Sequence, residues 1–149
     1  MSRAVRTRRV GLLAAAAAAV GAIAMPASAG AFDDHFSVIS ENVAGHQIPG
    51  GFAFRDALFN PANPVNKVGR VHARCKGEPR GKAHCKALVH LDGSVGGFGN
   101  LLVKGNFGHG DHTLNVVDGD GDFSGRIAGK MVVDGLDRRH DLLTFSLTR

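Results

Sequence analysis

The order of apolar and polar residues after position 30 follows the period of strands rather than that of helices. Short alternating or β-branched runs recur between Gly, Asn, Asp and Pro residues, and no sustained i, i+3, i+4, i+7 apolar stripe is present. These runs predict eight strands: Phe36–Val43, Phe52–Phe59, Lys67–Cys75, His84–Leu91, Leu101–Phe107, His112–Val117, Arg126–Val133 and Leu142–Thr148. Eight short strands with hairpin-like spacing are typical of an antiparallel barrel or sandwich. We expect an all-β, eight-stranded antiparallel β-barrel, because closure removes exposed strand edges.

One segment between predicted strands is expected to stay outside the sheet. Asn60-Pro61-Ala62-Asn63-Pro64 follows the second strand, and its two prolines have no N–H for a ladder hydrogen bond. We therefore predict that this segment forms a connection without pairing.

The first 29 residues have a different pattern. Four arginines and no acidic residue precede an apolar, alanine-rich run from Val10 to Met25, which ends at Pro26 and Ala27-Ser28-Ala29. A basic start, a short apolar middle and an A-x-A end are the three parts of a signal peptide. A membrane anchor is the alternative, but the run is shorter than the roughly 20 residues that a spanning helix needs. We predict a signal peptide at 1–29, a single barrel domain at 30–149, and a secreted protein without a stable membrane anchor. The run Thr7–Leu13 resembles a twin-arginine signal, but Gly11 stands where a bulky apolar residue is usual, so the general and the twin-arginine export routes both stay open.

Removing this segment changes the charge of the chain. It contains four of the 18 basic residues and none of the 13 acidic ones, so the net charge falls from +5 to about +1. The high pI therefore comes largely from the signal peptide. A nucleic-acid-binding protein concentrates Lys and Arg on one face or run. The densest remaining stretch, Lys67–Lys86, is interrupted by Glu78, Pro79 and Gly81, so we expect a solvated hairpin and no nucleic-acid partner.

The two cysteines, Cys75 and Cys85, are expected to form a disulfide. In the third predicted strand Val71, Ala73 and Cys75 share a face, and in the fourth Cys85 shares a face with Ala87. A short hairpin between these strands would bring the two thiols together in an oxidising compartment. Closing a loop of about ten residues stabilises a fold by roughly 3 kcal/mol in the chain-entropy model.

The second predicted strand combines apolar and acidic residues on one face. Phe52, Phe54 and Asp56 are two residues apart, so alternation places them together. A carboxyl beside phenylalanines is desolvated, which raises its pKa and suits it to hold water or donate a proton. The alternative is an acid at the barrel rim, paired with Arg55 or Arg70.

Four motifs, in the right order, resemble the allene oxide cyclase and dirigent-like barrel family. Phe54-Arg55-Asp56-Ala57-Leu58-Phe59 is similar to its second strand, and the segment Gly99–Gly105 resembles its G-x-L-x-V-x-G strand. The segment Asp118–Gly129 resembles its glycine-rich turn but is one residue longer. Leu143–Leu147 resembles its closing strand.

The resemblance implies a barrel with an apolar lumen that positions a reactive small molecule without a cofactor. Its cyclases carry a Glu and an Asn near the end of the first strand, where this chain has Glu41 and Asn42, and a polar residue at the position of Asp56. Glu41 could equally be a solvated acid at a strand end. Phe107 occupies the position of a tyrosine in the cyclases, so a hydroxyl is missing. Members of the family are often dimers or trimers, which implies a homo-oligomer.

Two groups of residues suggest metal binding without completing a site. His109-Gly110-Asp111-His112 lacks a third histidine, and a solvated loop is expected instead. Asp118, Asp120 and Asp122 alternate as in a calcium loop, but Phe123 occupies the position of the required glycine. We therefore expect a glycine-rich hairpin turn here and no metal, with weak calcium binding as the alternative.

Together these observations predict a secreted barrel that binds a small apolar or aromatic molecule. Two classes of function remain open. One is cofactor-free cyclisation or isomerisation, with Glu41 and Asp56 as catalytic residues and Asn42, Phe52, Phe54 and Phe107 as binding residues. The other is a non-catalytic ligand-binding or structural barrel.

Overall fold

The chain forms a closed barrel of eight antiparallel strands in a computed structural model that describes residues 33–78, 81–108, 110–125 and 127–148. Each strand pairs with the next in sequence, and β8 returns to pair with β1. The prediction of an all-β, eight-stranded antiparallel barrel is confirmed. The predicted signal peptide, residues 1–29, lies outside the described residues. The strands are β1 (His35–Ile48), β2 (Gly51–Asn60), β3 (Asn63–Gly77), β4 (Ala83–Asp92), β5 (Phe98–Phe107), β6 (Thr113–Gly119), β7 (Ala128–Gly135) and β8 (His140–Thr148), with a 3₁₀ turn, η1 (Gly121–Phe123), between β6 and β7.

The connection between β2 and β3 is tighter than predicted. Asn60 pairs with Asn63 across the turn, and the Asn60 side chain accepts a hydrogen bond from the Ala62 backbone N–H at 2.9 Å. The prediction that the whole segment stays unpaired is therefore wrong. The register shifts beside Asn60, and in the described ladder Pro64 opposes no residue of β2. This irregularity accommodates a residue that cannot donate a backbone hydrogen bond.

Large apolar side chains fill one end of the barrel. Phe36 from β1 stacks on Phe145 from β8 with ring centroids 4.7 Å apart, and Phe123 from η1 lies 6.4 Å from Phe36. Phe123 and Phe145 are fully buried. Gly96 has a φ of +76°, and a Cβ there would lie 2.8 Å from the Phe36 ring. Glycine is therefore required where this loop passes over the filled end.

The predicted disulfide is confirmed. Cys75 in β3 and Cys85 in β4 are direct partners in the ladder, and both are buried on the inner face. The strand alternation inferred for this hairpin is the observed one, because Val71 and Ala73 are buried with Cys75 while the residues between them are exposed. The disulfide thus joins two neighbouring strands in the wall of the barrel.

Candidate functional site

The opposite end of the barrel contains an internal cavity of about 90 Å³. The predicted residues Phe54, Asp56 and Phe107 line it, so the structure brings these three together. They come from the start of β2 and the end of β5, which lie at the same end of the barrel. The rest of the wall consists of Ser40, Val71, Ala73, Cys85, Ala87, Leu114, Met131, Val133, Asp141 and Leu143. The cavity is therefore mainly apolar, with two carboxyl groups and one hydroxyl.

Asp56 lies on the inner face with Phe54, as the alternation predicted. The Ser40 hydroxyl donates a hydrogen bond to its Oδ2 at 2.7 Å, and the Asn42 amide donates to its Oδ1 at 3.1 Å. Burial raises the pKa of Asp56 above its ordinary value, and the two hydrogen bonds only partly oppose this. Among the described residues no ion pair involves Asp56, so the alternative of a rim acid paired with Arg55 or Arg70 is not what the structure contains.

A second acid, Asp141, lines the same cavity and was not predicted from the sequence. It is the second residue of β8 and the ladder partner of Ser40, the residue that donates to Asp56. Burial raises its pKa, and the nearby charges of Asp56 and Asp137 raise it further, while His140 opposes the shift. The two acids are thus electrostatically coupled across β1. The sequence did contain a signal for Asp141, because it is two residues before the buried Leu143 and so shares a strand face with it. The predicted strand began one residue too late to include Asp141.

The cavity opens towards a wider hollow at the mouth of the barrel. This mouth hollow has a volume of about 440 Å³ and is lined by Asn42, Gly45, His46, Gln47, Phe52, Ala53, Phe54, Asp56 and Asp141. Phe54, Asp56 and Asp141 line both spaces, so the two acids lie where the cavity meets the mouth hollow. The Phe52 and Phe54 rings are 6.3 Å apart and nearly parallel, which provides an apolar wall beside the acids. The predicted binding residues Asn42 and Phe52 thus belong to the mouth rather than to the inner cavity.

Glu41 lies on the outer face of the barrel. Its carboxylate accepts a hydrogen bond from the Arg139 guanidinium at 2.9 Å, and it lines neither the cavity nor the mouth hollow. Ser40 and Asn42 point inward on either side of it, and the bulge in β1 begins only after Asn42. Strand alternation therefore turns Glu41 outward. The prediction that Glu41 and Asp56 share one cavity is wrong, and the acid that accompanies Asp56 is Asp141.

The alternating acids before Phe123 form turn hydrogen bonds. Asp120 accepts a hydrogen bond from the Asn100 backbone N–H at 2.8 Å, and Asp122 accepts one from the Phe98 backbone N–H at 2.8 Å. These contacts attach η1 to β5. In the described part of the chain no three His, Cys, Asp or Glu side chains come together as a metal site, and His109 lies outside that part.

No family model matches the sequence, and no curated protein matches it. Within the described residues, no helix is long and apolar enough to cross a membrane.

Proposed function

We propose that the open end of the barrel binds a small apolar or aromatic molecule and catalyses its cyclisation or isomerisation without a cofactor. The observation that carries this proposal is the coupled acid pair, Asp56 and Asp141, at the junction of an apolar cavity and the mouth hollow. Asp141 takes the place that the sequence had suggested for Glu41. The resemblance to allene oxide cyclases and dirigent-like proteins belongs to the same proposal.

The sizes of the two spaces indicate how a ligand would lie. The inner cavity of about 90 Å³ holds only about three waters' share of liquid volume. The mouth hollow of about 440 Å³ is within the usual range for ligand sites, about 300–1,000 Å³. The ligand body would therefore lie against Phe52 and Phe54, and only one end of it would reach the acids.

The acid pair is suited to proton transfer. Because each carboxylate disfavours ionisation of the other, one can remain protonated as a donor while the other accepts. The ionised acid would take a proton from one atom of the ligand, and the protonated acid would give a proton to another atom of it. This exchange would move a double bond or close a ring. No electrons are gained or lost in this exchange. Ser40 and Asn42 would hold the Asp56 carboxyl in position.

A non-catalytic ligand-binding barrel is the second candidate. Phe107 supports it, because no hydroxyl is present where the cyclases that the sequence resembles carry a tyrosine. In that case the acid pair would orient a polar end of the ligand or a water molecule, and no bond would change.

Native mass spectrometry of the secreted protein for a co-purified small molecule is the first test. Binding of that molecule, or of a panel of aromatic alcohols and unsaturated fatty acids, is then compared in Phe54→Ala and in Phe98→Ala, an exposed phenylalanine outside the cavity. We expect only Phe54→Ala to weaken binding. Equal binding by the wild type and both variants would refute the site.

Catalysis is tested by NMR in D₂O, because proton transfer to carbon places solvent deuterium in the product. Asp56→Asn and Asp141→Asn should each slow turnover by about 10²-fold or more. The matched control is Asp134→Asn, which removes an exposed acid of β7. Binding without turnover in the wild type would refute catalysis and support the non-catalytic candidate.

A further inference from the structure

The outer surface of β2 to β5 concentrates positive charge. The basic side chains on this surface, which we call the outer cationic face, are Arg55, Arg70, Arg74, Lys76, Lys86 and Lys104, accompanied by His72 and His84 and, from the neighbouring β1, by His46. All of them are exposed. The net charge of residues 30–149 is close to neutral, so this concentration reflects where the strands place the charges and not the overall composition.

Three of these cations form a row across the barrel. Arg74 in β3 is the ladder partner of Lys86 in β4, which is the partner of Lys104 in β5. Neighbouring strands are about 4.8 Å apart, and like charges directly opposite each other destabilise a sheet. None of the ion pairs found within the described residues involves these three side chains. The row therefore carries a cost in stability that no ion pair among the described residues offsets.

The same surface contains a concave site with an aliphatic floor. A hollow of about 470 Å³ is lined by the cations Arg55, Arg74 and Lys86 and by the imidazoles of two histidines. Ala53, Leu88 and Leu102 also line it, and Leu88 is 45% exposed in the middle of the charged face. Its volume is within the range of about 300–1,000 Å³ that is usual for ligand sites. We call it the outer hollow.

We propose that the outer hollow binds an organic anion in which a phosphate or sulfate group is joined to a small apolar body. The guanidinium groups of Arg55 and Arg74 match the geometry of such oxyanions, and Lys86 adds a point charge. The apolar body would cover the exposed Leu88. The outer hollow lies on the outer side of the sheet, whereas the acid pair lies on the inner side. The cations of the outer hollow favour an anionic ligand, whereas the inner cavity, with its apolar lining, favours an apolar one.

Two other anionic partners fit this surface less well. Single-stranded nucleic acids need aromatic platforms for stacking, and Phe54, which lines the outer hollow, already stacks its ring on Phe52. A membrane surface is flat and would not fill a concave site. A compact anion suits both the shape and the mixture of charge and aliphatic surface.

Calorimetric titration of the secreted protein with phenyl phosphate, at low ionic strength, tests the proposal. We expect one molecule to bind per chain, about tenfold more tightly than inorganic phosphate, because burying a phenyl group on Leu88 adds apolar contact. Benzyl alcohol should not bind at this site. Equal affinities for phenyl phosphate and inorganic phosphate, or no binding of either, would overturn the proposal.

Charge reversals locate the site. Lys86→Glu should weaken phenyl phosphate binding by about tenfold or more, because it reverses the centre of the cationic row. Lys130→Glu is the matched control, since Lys130 is an exposed cation on β7 and the net charge changes equally. Equal losses in both variants would show long-range attraction only and would refute a site. Heparin or duplex DNA could instead bind more tightly than phenyl phosphate, in a salt-sensitive way and with several chains on each polymer. That result would identify a polyanion as the ligand and overturn the small-ligand assignment. Asp56→Asn should leave phenyl phosphate binding unchanged, which separates this result from that for the inner site.

Discussion

Replacing Asp56 by Asn should stabilise the barrel at neutral pH. The pKa of this carboxyl is raised above 3.8, with burial as the largest cause, so the fold favours its protonated form. An acid whose pKa is raised on folding contributes stability that is fully present below its pKa in the unfolded chain. This stability is lost as the pH rises through its pKa in the folded protein. Asparagine resembles the protonated acid in shape and charge, and it can still accept a hydrogen bond from Ser40. It therefore retains at neutral pH the stability that the wild type has only in acid.

The expected size of the effect follows from the linkage between pKa and stability. Each unit by which the pKa is raised corresponds to about 1.4 kcal/mol, and solvent at the mouth of the barrel screens part of it. We expect Asp56→Asn to raise the free energy of unfolding at neutral pH, and we expect this gain to shrink as the pH falls and to vanish below about pH 3. The change should also lower the pKa of Asp141, because the charge of Asp56 is one cause of its upward shift.

Urea unfolding followed by circular dichroism, from about pH 3 to about pH 8, measures this difference. Circular dichroism is the suitable signal because the chain contains no tryptophan or tyrosine. Asp134→Asn serves as the control for the loss of one negative charge on the exposed surface. The reasoning is refuted if Asp56→Asn is destabilised at neutral pH, or if its difference from the wild type does not change with pH.

Four further outcomes are expected. Replacing both Cys75 and Cys85 by serine should lower the free energy of unfolding by about 2–4 kcal/mol in urea titrations, whereas an unchanged midpoint would show that the disulfide is dispensable. Phe145→Ala should cost about 3–5 kcal/mol in the same assay, because it leaves a void beneath the stacked phenylalanines of the filled end; a loss below 1 kcal/mol would contradict this packing. Lys86→Gln should raise the thermal midpoint at low salt and have little effect at high salt, since it relieves repulsion along the cationic row. N-terminal sequencing of secreted protein should begin at Gly30, and an intact Met1 would disprove the predicted cleavage.

The sequence predicted the side on which a residue lies better than it predicted which residues meet. Alternation placed Phe54 and Asp56 inside and matched the faces of the two cysteines, because strand geometry is local. The same rule turns Glu41 away from Ser40 and Asn42, yet the motif resemblance had assigned Glu41 to the lumen. At Glu41, strand alternation was therefore a better guide to the position of the side chain than similarity of residue type.

Features that depend on pairing between distant strands could not be predicted in the same way. Asp141 meets the Asp56 site only because β8 pairs with β1, and this register is set by contacts about one hundred residues apart along the chain. Phe123 lies in a turn that no strand period describes, although it fills one end of the barrel. The row of cations likewise appears only once the register of three strands is known.

The pairing between β8 and β1 has a consequence for local motion of the barrel. Seven of the eight strand pairings join neighbours along the chain, and this one alone closes the ring. Its last backbone hydrogen bond beside the acids runs from the Asn42 N–H to the Arg139 carbonyl at 3.1 Å. Separating the two strands there would admit water and relieve the repulsion between Asp56 and Asp141. Ionisation of both acids therefore favours local opening at this seam. As the pH rises, hydrogen exchange of the Asn42 amide should accelerate more than base catalysis of exchange alone would accelerate it.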